Sequence, residues 1–381
     1  MTILSMLLLV LFLLWLQRFI YRRYWNSGLT MQISFSQRNA HEGDTLTLSE
    51  KVTNRKLLPL PWLMARFQLS RNLVFTEHEH SVVTDAYYQT DVFSVNMYQR
   101  ITRSQDFICA KRGYYRIKSM DLVSSNIFIS DKLVMHVPCE AELTVYPKLV
   151  DMQALDVFFR KLYGNMEVHR FTNQDPFAYR SIREYAAGDD FRSINFKATA
   201  KTGTLMANVN SATASQELVI LLNLEEYSEW SVDAVYEESI RIAAAVAENA
   251  ITAGLSVALY SNGRDAVTNS PLAELAGSGD MHLGSLLEKL ARIDLAQPCS
   301  NIHDIMLPCT AAEPYYLLIS SNHGKDIATT YNSMIERGLA AQWIIPALAD
   351  DKLSVDENST ITRWEVKPHE HTTSFYTKTA G

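Results

Sequence analysis

Few side chains in this sequence are spaced for chemistry. Cys299, His303, Asp304 and Cys309 fall close together and carry atom types that zinc accepts. Their spacing fits no common zinc motif, and Pro298 and Pro308 point to a loop, so a loop without metal is expected. His78-Glu79-His80 and His369-Glu370-His371 would each place two imidazoles on one face of an extended chain, but neither has an evident third ligand. Gly324-Lys325 lacks the upstream glycine of a phosphate loop and is followed by Asp326 instead of Ser or Thr. There is no Gly-x-Ser-x-Gly elbow for a nucleophilic serine. A Cys–His–Asp hydrolase set would have to be gathered from separate parts of the chain, and nothing in the sequence gathers it. The expectation is a protein that is not an enzyme.

The densest run of charged and turn-forming residues extends from Arg183 to Lys201. Gly188 allows a tight turn. Asp190 is placed to cap a short helix, and Asp189 to meet the helix's positive end. Phe191, Ile194 and Ala198 would then share one helical face. Arg183, Arg192, Lys197 and Lys201 are spaced to pair with Glu184, Asp189 and Asp190. The expected role is a hydrogen-bonded clasp onto the domain that follows; the alternative is a docking surface.

These residues need elements to hold them. The chain has 381 residues, enough for two or three domains. Its formal net charge of −7 and the lack of a Lys/Arg stripe argue against nucleic-acid binding, which needs a basic footprint. Four cysteines without regular spacing do not make a disulfide framework. Residues 1–25 read as a transmembrane anchor. No side chain from Met1 to Leu16 is charged, and the apolar run extended through Tyr21 approaches the length that crosses a bilayer. Neither a basic start nor a small-residue cleavage site marks it as a signal peptide. Arg18 is expected to snorkel, and Tyr21, Tyr24 and Trp25 to form an interfacial aromatic belt. Arg18, Arg22 and Arg23 all follow the run, which places the remainder in the cytoplasm, tethered to the cell membrane by a single pass.

Residues 29–148 read as an all-β sandwich. Strand candidates are 31–35, 46–49, 92–97, 106–110, 114–117, 120–123 and 143–146. Leu57 to Trp62, with two prolines, reads as a loop or a sheet edge, and Lys111-Arg112-Gly113 as a hairpin corner. Residues 149–180 form a connector with one candidate helix at 152–162. Residues 181–368 alternate strand and helix: strands at 217–222, 255–260, 315–319 and 342–345, helices at 232–253, 283–293 and 327–337. Gly254 and Gly338 are expected helix stops, and Pro346 a strand stop. That alternation predicts an α/β doubly wound parallel sheet, whose ligand sites lie at the carboxyl ends of its strands. Residues 369–381 form a polar tail.

The run from Arg183 to Lys201 resembles the signature of the domain-of-unknown-function 58 family, roughly R-x-Y-x-x-G-D-D-x-R-x-I-N-W-x-x-x-A-R. Arg183, Tyr185, Gly188, Asp189, Asp190, Arg192, Ile194, Asn195 and Ala200 match. Phe196 replaces a Trp and Lys201 an Arg. The order of membrane segment, β-rich domain, signature and α/β domain is also similar, although relatives often carry two membrane helices. The resemblance implies a von Willebrand A-like, Rossmann-type domain. Such domains often hold a divalent metal through Asp-x-Ser-x-Ser after their first strand. Here that position reads Asn223-Leu224-Glu225-Glu226-Tyr227-Ser228. Asn223 stands for the Asp, and Glu225 and Tyr227 for the two serines. A later strand ends in Ser320-Ser321-Asn322, without a carboxylate. A degenerate metal site is therefore expected, with no metal and no cofactor. The alternative is a metal-dependent, adhesion-type binder in which Glu225, Glu226 and Ser320 rebuild a Mg²⁺ site. What the resemblance implies about partners is a MoxR-type AAA+ ATPase, recruited by a membrane-anchored scaffold or adaptor to other membrane or envelope assembly proteins. An envelope hydrolase is the remaining alternative, disfavoured by the expected cytoplasmic orientation.

Overall fold

The structure, a computed structural model, describes residues 2–75, 81–83, 87–125, 131–150, 155, 158–166, 179–186, 191, 194–210, 217–226, 233–306, 309, 314–355 and 360–366. The chain divides into two compact units, Met1–Lys148 and Leu149–Gly381.

The first unit opens with helix α1, Thr2–Tyr24. Its run of Leu, Val, Phe and Met contains no Gly or Pro to break it, and at ~1.5 Å per residue its 23 residues reach about 34 Å. From Ile3 to Tyr24 it is long and apolar enough to cross a membrane, as a membrane span or a signal sequence does. Its last turn departs from the expected aromatic belt. Tyr21 is 2% exposed and donates its hydroxyl to Pro59 O (2.9 Å), and Trp25 is 5% exposed. Both rings belong to the core of the β-rich region, and only Tyr24 faces outward. Arg18 is paired within the protein: its Nη2 lies 2.5 Å from Asp131 Oδ1, and Arg22 Nε approaches Asp131 Oδ2 at 3.6 Å. The reason is chemical: the Pro59 carbonyl and the Asp131 carboxylate, supplied by the segments that lead into β4 and β10, compete with the headgroup region for these side chains. Gly28, at φ +61°, then turns the chain into the first strand.

Ten strands follow: β1 Leu29–Phe35, β2 Asn39–His41, β3 Thr45–Asn54, β4 Leu60–Leu69, β5 Leu73–Phe75, β6 Ser81–Val83, β7 Tyr87–Val95, β8 Arg100–Cys109, β9 Gly113–Ser125 and β10 Lys132–Tyr146. They form a four-stranded sheet, β1-β3-β8-β5, and a six-stranded sheet, β2-β10-β9-β4-β7-β6. Leu48, Val52 and Phe107 of the first sheet and Leu63, Ile117, Leu122 and Leu143 of the second share one buried cluster, so the two sheets enclose a single core. The stretch with two prolines is a loop only as far as Pro59; Leu60, Pro61 and Trp62 already belong to β4, which is not an edge strand. β4 runs between β9 and β7, and Pro61 falls in an irregularity between Leu60 and Leu63, where the β7 register shifts and β9 pairing has not begun. A missing N–H costs nothing in such a bulge. Nor do Lys111-Arg112-Gly113 make a hairpin corner: β8 and β9 lie in different sheets. The short candidates at 114–117 and 120–123 are one strand.

In the second unit, α2 (158–166) precedes a two-stranded antiparallel pair, β11 Tyr179–Glu184 and β12 Met206–Asn210, with α3 (Phe196–Thr202) between them. A six-strand path with one added short strand follows: β13 Glu217–Asn223, β14 Ser256–Asp265, β15 Pro271–Gly277, β16 Ile293–Asp294, β17 Tyr315–Ser320, β18 Ala341–Ala347 and β19 Ile361–Glu365. The order is β15-β14-β13-β17-β18-β19, with β15 antiparallel, β16 paired to β14, and the others parallel. Helices α4 (Asp233–Thr252), α5 (Asp280–Ala291), α6 (His303–Met306) and α7 (Lys325–Glu336) connect them. Val219, Leu221, Leu318, Trp343 and Ile345 cluster with Met306 of α6 and with Ile327, Tyr331 and Met334 of α7. The alternate strand positions, Leu218, Ile220 and Leu222, point the other way, and α4 touches the same strands without joining that cluster. The sheet is thus covered on both faces, as its near-continuous apolar strands require.

Gly254 (φ +83°) and Gly338 (φ +82°) end α4 and α7 in the left-handed conformation, as expected. Pro346 does not stop β18. Trp343 N donates to Thr360 O and Val366 N to Ala347 O, so odd-numbered residues of β18 bond toward β19. Pro346 points the opposite way, where pairing with β17 has ended at Ile344. β11, β12, β15, β16 and β19 are absent from the expectation; each is short and lies at a sheet edge, off the main strand path or in an isolated pair.

Candidate functional site

The connection leaving β13 passes through α4 on one face of the sheet. The connection leaving β17 passes through α7 on the other. Adjacent parallel strands whose connections diverge leave a crevice at their carboxyl ends. Asn223 ends β13 there and Ser320 ends β17, paired in register. Both are fully buried, as are Ser261 and Asn262 of the neighbouring β14.

These groups satisfy one another. Asn223 Nδ2 donates to Ser320 Oγ (2.9 Å), and Asn223 Oδ1 accepts from Asn262 Nδ2 (2.7 Å) and Glu225 N (3.1 Å). Asn262 Nδ2 also donates to Ser300 O (3.0 Å), while Asn262 Oδ1 accepts from Leu224 N (2.8 Å). Ser320 Oγ donates to Asn322 O (2.7 Å), and Asn322 Oδ1 accepts from Gly324 N (3.0 Å). Trp343 Nε1 reaches Ser320 O at 3.4 Å from beneath. Every side chain in this network is neutral. With two donors on Asn223 Oδ1, both of its lone pairs are engaged. Gly263 permits the close approach: a Cβ there would lie 2.8 Å from Leu224 Cδ1, so the leucine would have to shift.

Of the expected site residues, the structure brings Asn223, Ser320 and Asn322 together. Glu225 is half-buried and contributes its backbone N–H to the network, and Glu226 is exposed. Tyr227 lies outside the described residues. Asn262, through its side chain, and Ser300, through its carbonyl, are participants not expected from the sequence. The available signal was Ser261-Asn262 directly after the apolar run 257–260, as Asn223 directly follows the apolar run 218–222.

Cys299 sits beside this network, its thiol directed to Leu224 O (3.4 Å). Burial pushes its pKa up, and the negative charges of Glu225 and Glu226 add to the effect against Arg264. It is therefore held as a thiol, not as a nucleophilic thiolate. Cys309, likewise raised by burial, turns to Ile305 O (3.3 Å), and His303 Nδ1 pairs with Thr330 Oγ1 (2.8 Å). The Cys299–Cys309 group does not converge: among the described residues, no three His, Cys, Asp or Glu side chains are grouped to hold a metal. His78–His80 and His369–His371 lie outside the described residues. His323, in the turn after β17, is buried with Nε2 3.3 Å from Lys352 O, and burial lowers its pKa, favouring the neutral ring.

The signature segment builds a second surface. Gly188, Asp189, Asp190 and Arg192 lie outside the described residues. Asn195 caps α3, its Oδ1 accepting from Ala198 N (2.9 Å), while its own N–H donates to Met206 O (2.8 Å). Tyr185 N donates to Leu205 O (2.8 Å), and Met206 N to Thr199 Oγ1 (3.0 Å). Arg183 Nη1 donates to Glu184 O (3.0 Å). Phe191, Ile194 and Ala198 do not share a helical face, because α3 begins only at Phe196; Ile194 instead bridges to Ala207 of β12. Phe191 and Phe196 are 78% and 76% exposed. No residue of α3 is buried, so its cap carries much of its local order. Asn195→Ala is expected to cost about 1 kcal/mol locally, read as faster hydrogen exchange at Ala198 and Thr199 with little change in the central sheet.

A family model described as "Protein of unknown function DUF58" matches residues 181–314, which supports that family for this part of the chain. No curated protein matches significantly. Among solved structures, the chain is similar to the CARDB domain of a Pyrococcus furiosus protein in complex with di-metal ions, at 8% identity and TM-score 0.21, over 31% of this chain and 93% of that one. A non-cellulosomal cohesin from Archaeoglobus fulgidus is similar at 9% identity and TM-score 0.22, over 30% and 91%. The sporulation control protein Spo0M from Bacillus subtilis is similar at 8% identity and TM-score 0.19, over 42% and 59%. Scores this low carry no argument about function.

Proposed function

We propose that this chain is a membrane-anchored, non-enzymatic adaptor whose α/β domain is von Willebrand A-like with a metal site replaced by amides. The observation that carries the reading is the closed network around Asn223. Its side-chain oxygen already accepts two hydrogen bonds, its amide donates to Ser320, and no carboxylate takes part. A divalent ion needs anionic or free oxygen ligands in its first shell, and this arrangement offers neither. The same network holds no general base and no activated nucleophile. The sheet order, with its crevice between β13 and β17, supports the von Willebrand A-like assignment. The exposed Phe191 and Phe196, inside the segment matched by the family model, supply a face suited to gripping another polypeptide. Through such a face the chain would recruit a MoxR-type AAA+ ATPase, or client proteins of envelope assembly.

The packing of Tyr21 and Trp25 into the β core favours a retained anchor over a cleaved signal, because cleavage after the helix would strip Tyr21 from that core. The three arginines at its foot favour a cytoplasmic location for the folded units.

Titration calorimetry of the detergent-solubilised full chain with Mg²⁺, Mn²⁺ and Ca²⁺ tests the site. No saturable heat is expected. Saturable binding that disappears in Glu225→Ala would replace this reading with a metal-dependent binder. For the partner, a pull-down from gently solubilised membranes is expected to recover an AAA+ ATPase, and to lose it in a Phe191→Ser/Phe196→Ser double variant. Recovery of no ATPase in any nucleotide state would refute the adaptor role.

A further inference from the structure

At the foot of α1, the helix and the loop between β3 and β4 enclose a pocket of about 330 Å³. Ile20, Tyr24, Ser27, Lys56, Leu57 and Leu58 line it. Lys56 is its only charged residue among the described residues. The Lys56 ammonium is covered by neighbouring atoms and has no hydrogen-bond partner among the described residues. Burial pushes its pKa down to about 8. An unpaired ammonium withdrawn from water is costly, so an anion that met it would restore what burial removes. The other basic residues of α1 cannot all serve: Arg18 and Arg22 are engaged by Asp131, leaving Arg23, which lies over the Tyr24 ring (5.6 Å).

The apolar lining is equally informative. Leu57 is 69% exposed, and Tyr24 and Ile20 also face outward. Two of the six lining residues belong to the last turns of the membrane-length helix, so the pocket opens where that helix would leave the hydrocarbon. We propose that this pocket binds the headgroup of an anionic phospholipid, with the phosphate on Lys56 and the acyl chains along Ile20 and Leu57. Lys56 reaches the phosphate by rotating its flexible four-carbon stem. The Ser27 hydroxyl lines the same pocket as a further donor, and the Tyr24 ring sits at headgroup depth, where such rings are enriched. Among the described residues no acidic side chain lines the pocket to receive the ammonium of a zwitterionic headgroup, so the site selects for net negative charge.

The proposal rests on the reading of α1 as a retained membrane span. The test uses the full chain in nanodiscs of phosphatidylcholine doped with phosphatidylglycerol, with lipid retention read by native mass spectrometry. One phosphatidylglycerol is expected to be retained preferentially. Lys56→Gln should weaken that retention about tenfold, and Lys56→Arg should preserve it. Relieving a buried charge leaves Lys56→Gln at least as stable as the parent, so loss of fold does not confuse the result. Equal retention in Lys56→Gln overturns the site while leaving the anchor intact. Failure of the chain to enter nanodiscs overturns the anchor and the site together. Binding of inorganic phosphate by the detergent-solubilised chain, with no lipid preference in the discs, overturns the lipid assignment.

Discussion

Replacing Asn223 with alanine is expected to destabilise the α/β unit by roughly 2–4 kcal/mol, the cost of orphaning several buried polar groups at once. The substitution removes the acceptor used by Asn262 Nδ2 and Glu225 N and the donor used by Ser320 Oγ. Asn262 and Ser320 are fully buried, so water does not reach them without local opening. Glu225 N is nearer the surface and recovers more cheaply. Hydrogen–deuterium exchange at β13 and β17 reads the loss directly, and unchanged protection there would mean that the network is not a lock. Asn223→Asp is the sharper companion. The introduced carboxyl keeps the shape and the acceptor, loses the donor to Ser320, and when ionised places a charge in a fully buried position. Its penalty should therefore grow as pH rises through that carboxyl's elevated pKa, whereas the alanine variant should show no such dependence. Added Mg²⁺ is expected to rescue neither, since positions 225 and 227 are Glu and Tyr and lack the serine hydroxyls that would complete an oxygen shell.

Between the sheets of the first unit, Glu50→Gln is expected to raise stability at alkaline pH by a few kcal/mol. Glu50 is fully buried on β3, and Asp91, also buried, faces it from β7. Asp91 is well supplied with donors: Arg103 Nη1 (2.8 Å), Gln89 Nε2 (3.1 Å) and Gln105 Nε2 (3.2 Å). Glu50 is not; as a carboxylate, neither of its oxygens has a hydrogen-bond partner. Burial first, then the Asp91 charge and a hydrogen bond to Asp91 in the protonated form, push its pKa up to about 8, with Arg103 opposing. The folded-state value thus lies above the ordinary 4.5. Between those two values the folded protein holds a proton that the unfolded chain has released. Stability therefore falls as pH rises across this window and reaches its floor above about 8. Glutamine keeps a donor toward Asp91 and cannot ionise. The two proteins should match in acid and diverge progressively above pH 5 or so. Protection of β3 amides at pH 6 and pH 9, corrected for intrinsic exchange, decides it. A parallel pH dependence in parent and variant would rule out the assigned titration.

Glu50 also shows how much of such a site the sequence carries. In β3 the inward positions are Leu46, Leu48, Glu50, Val52 and Asn54, a strict period of two. The alternation set by the two leucines already directs Glu50 inward. What the alternation does not reveal is Asp91, which lies in the other sheet 41 positions further on. The Asn223 network divides in the same way. Asn223 and Ser320 stand at the ends of two apolar runs, and that pattern alone marks them as strand-end residues. Their direct hydrogen bond spans 97 positions of chain, and Asn262 enters from a third strand. The neutral residue types at the two strand ends could be read from the sequence; their closure into a satisfied network could not.

The apolar length of α1, the alternation of strand and helix after residue 217, the helix stops at Gly254 and Gly338, and the absence of a catalytic motif were all determined by the sequence itself. Each is a local property of composition or period, set by backbone geometry within a few turns of chain. Tertiary structure alone decided that Tyr21 and Trp25 belong to a protein core instead of a lipid interface, that Pro61 and Pro346 sit inside strands, and that Asn195 caps α3. Those outcomes depend on what lies opposite: a carbonyl at Pro59, a bulge facing β7, a neighbouring strand that has already ended, the register of β12. Hydrogen-bond satisfaction is settled between partners distant in sequence, and no single stretch of chain contains both halves of the bond.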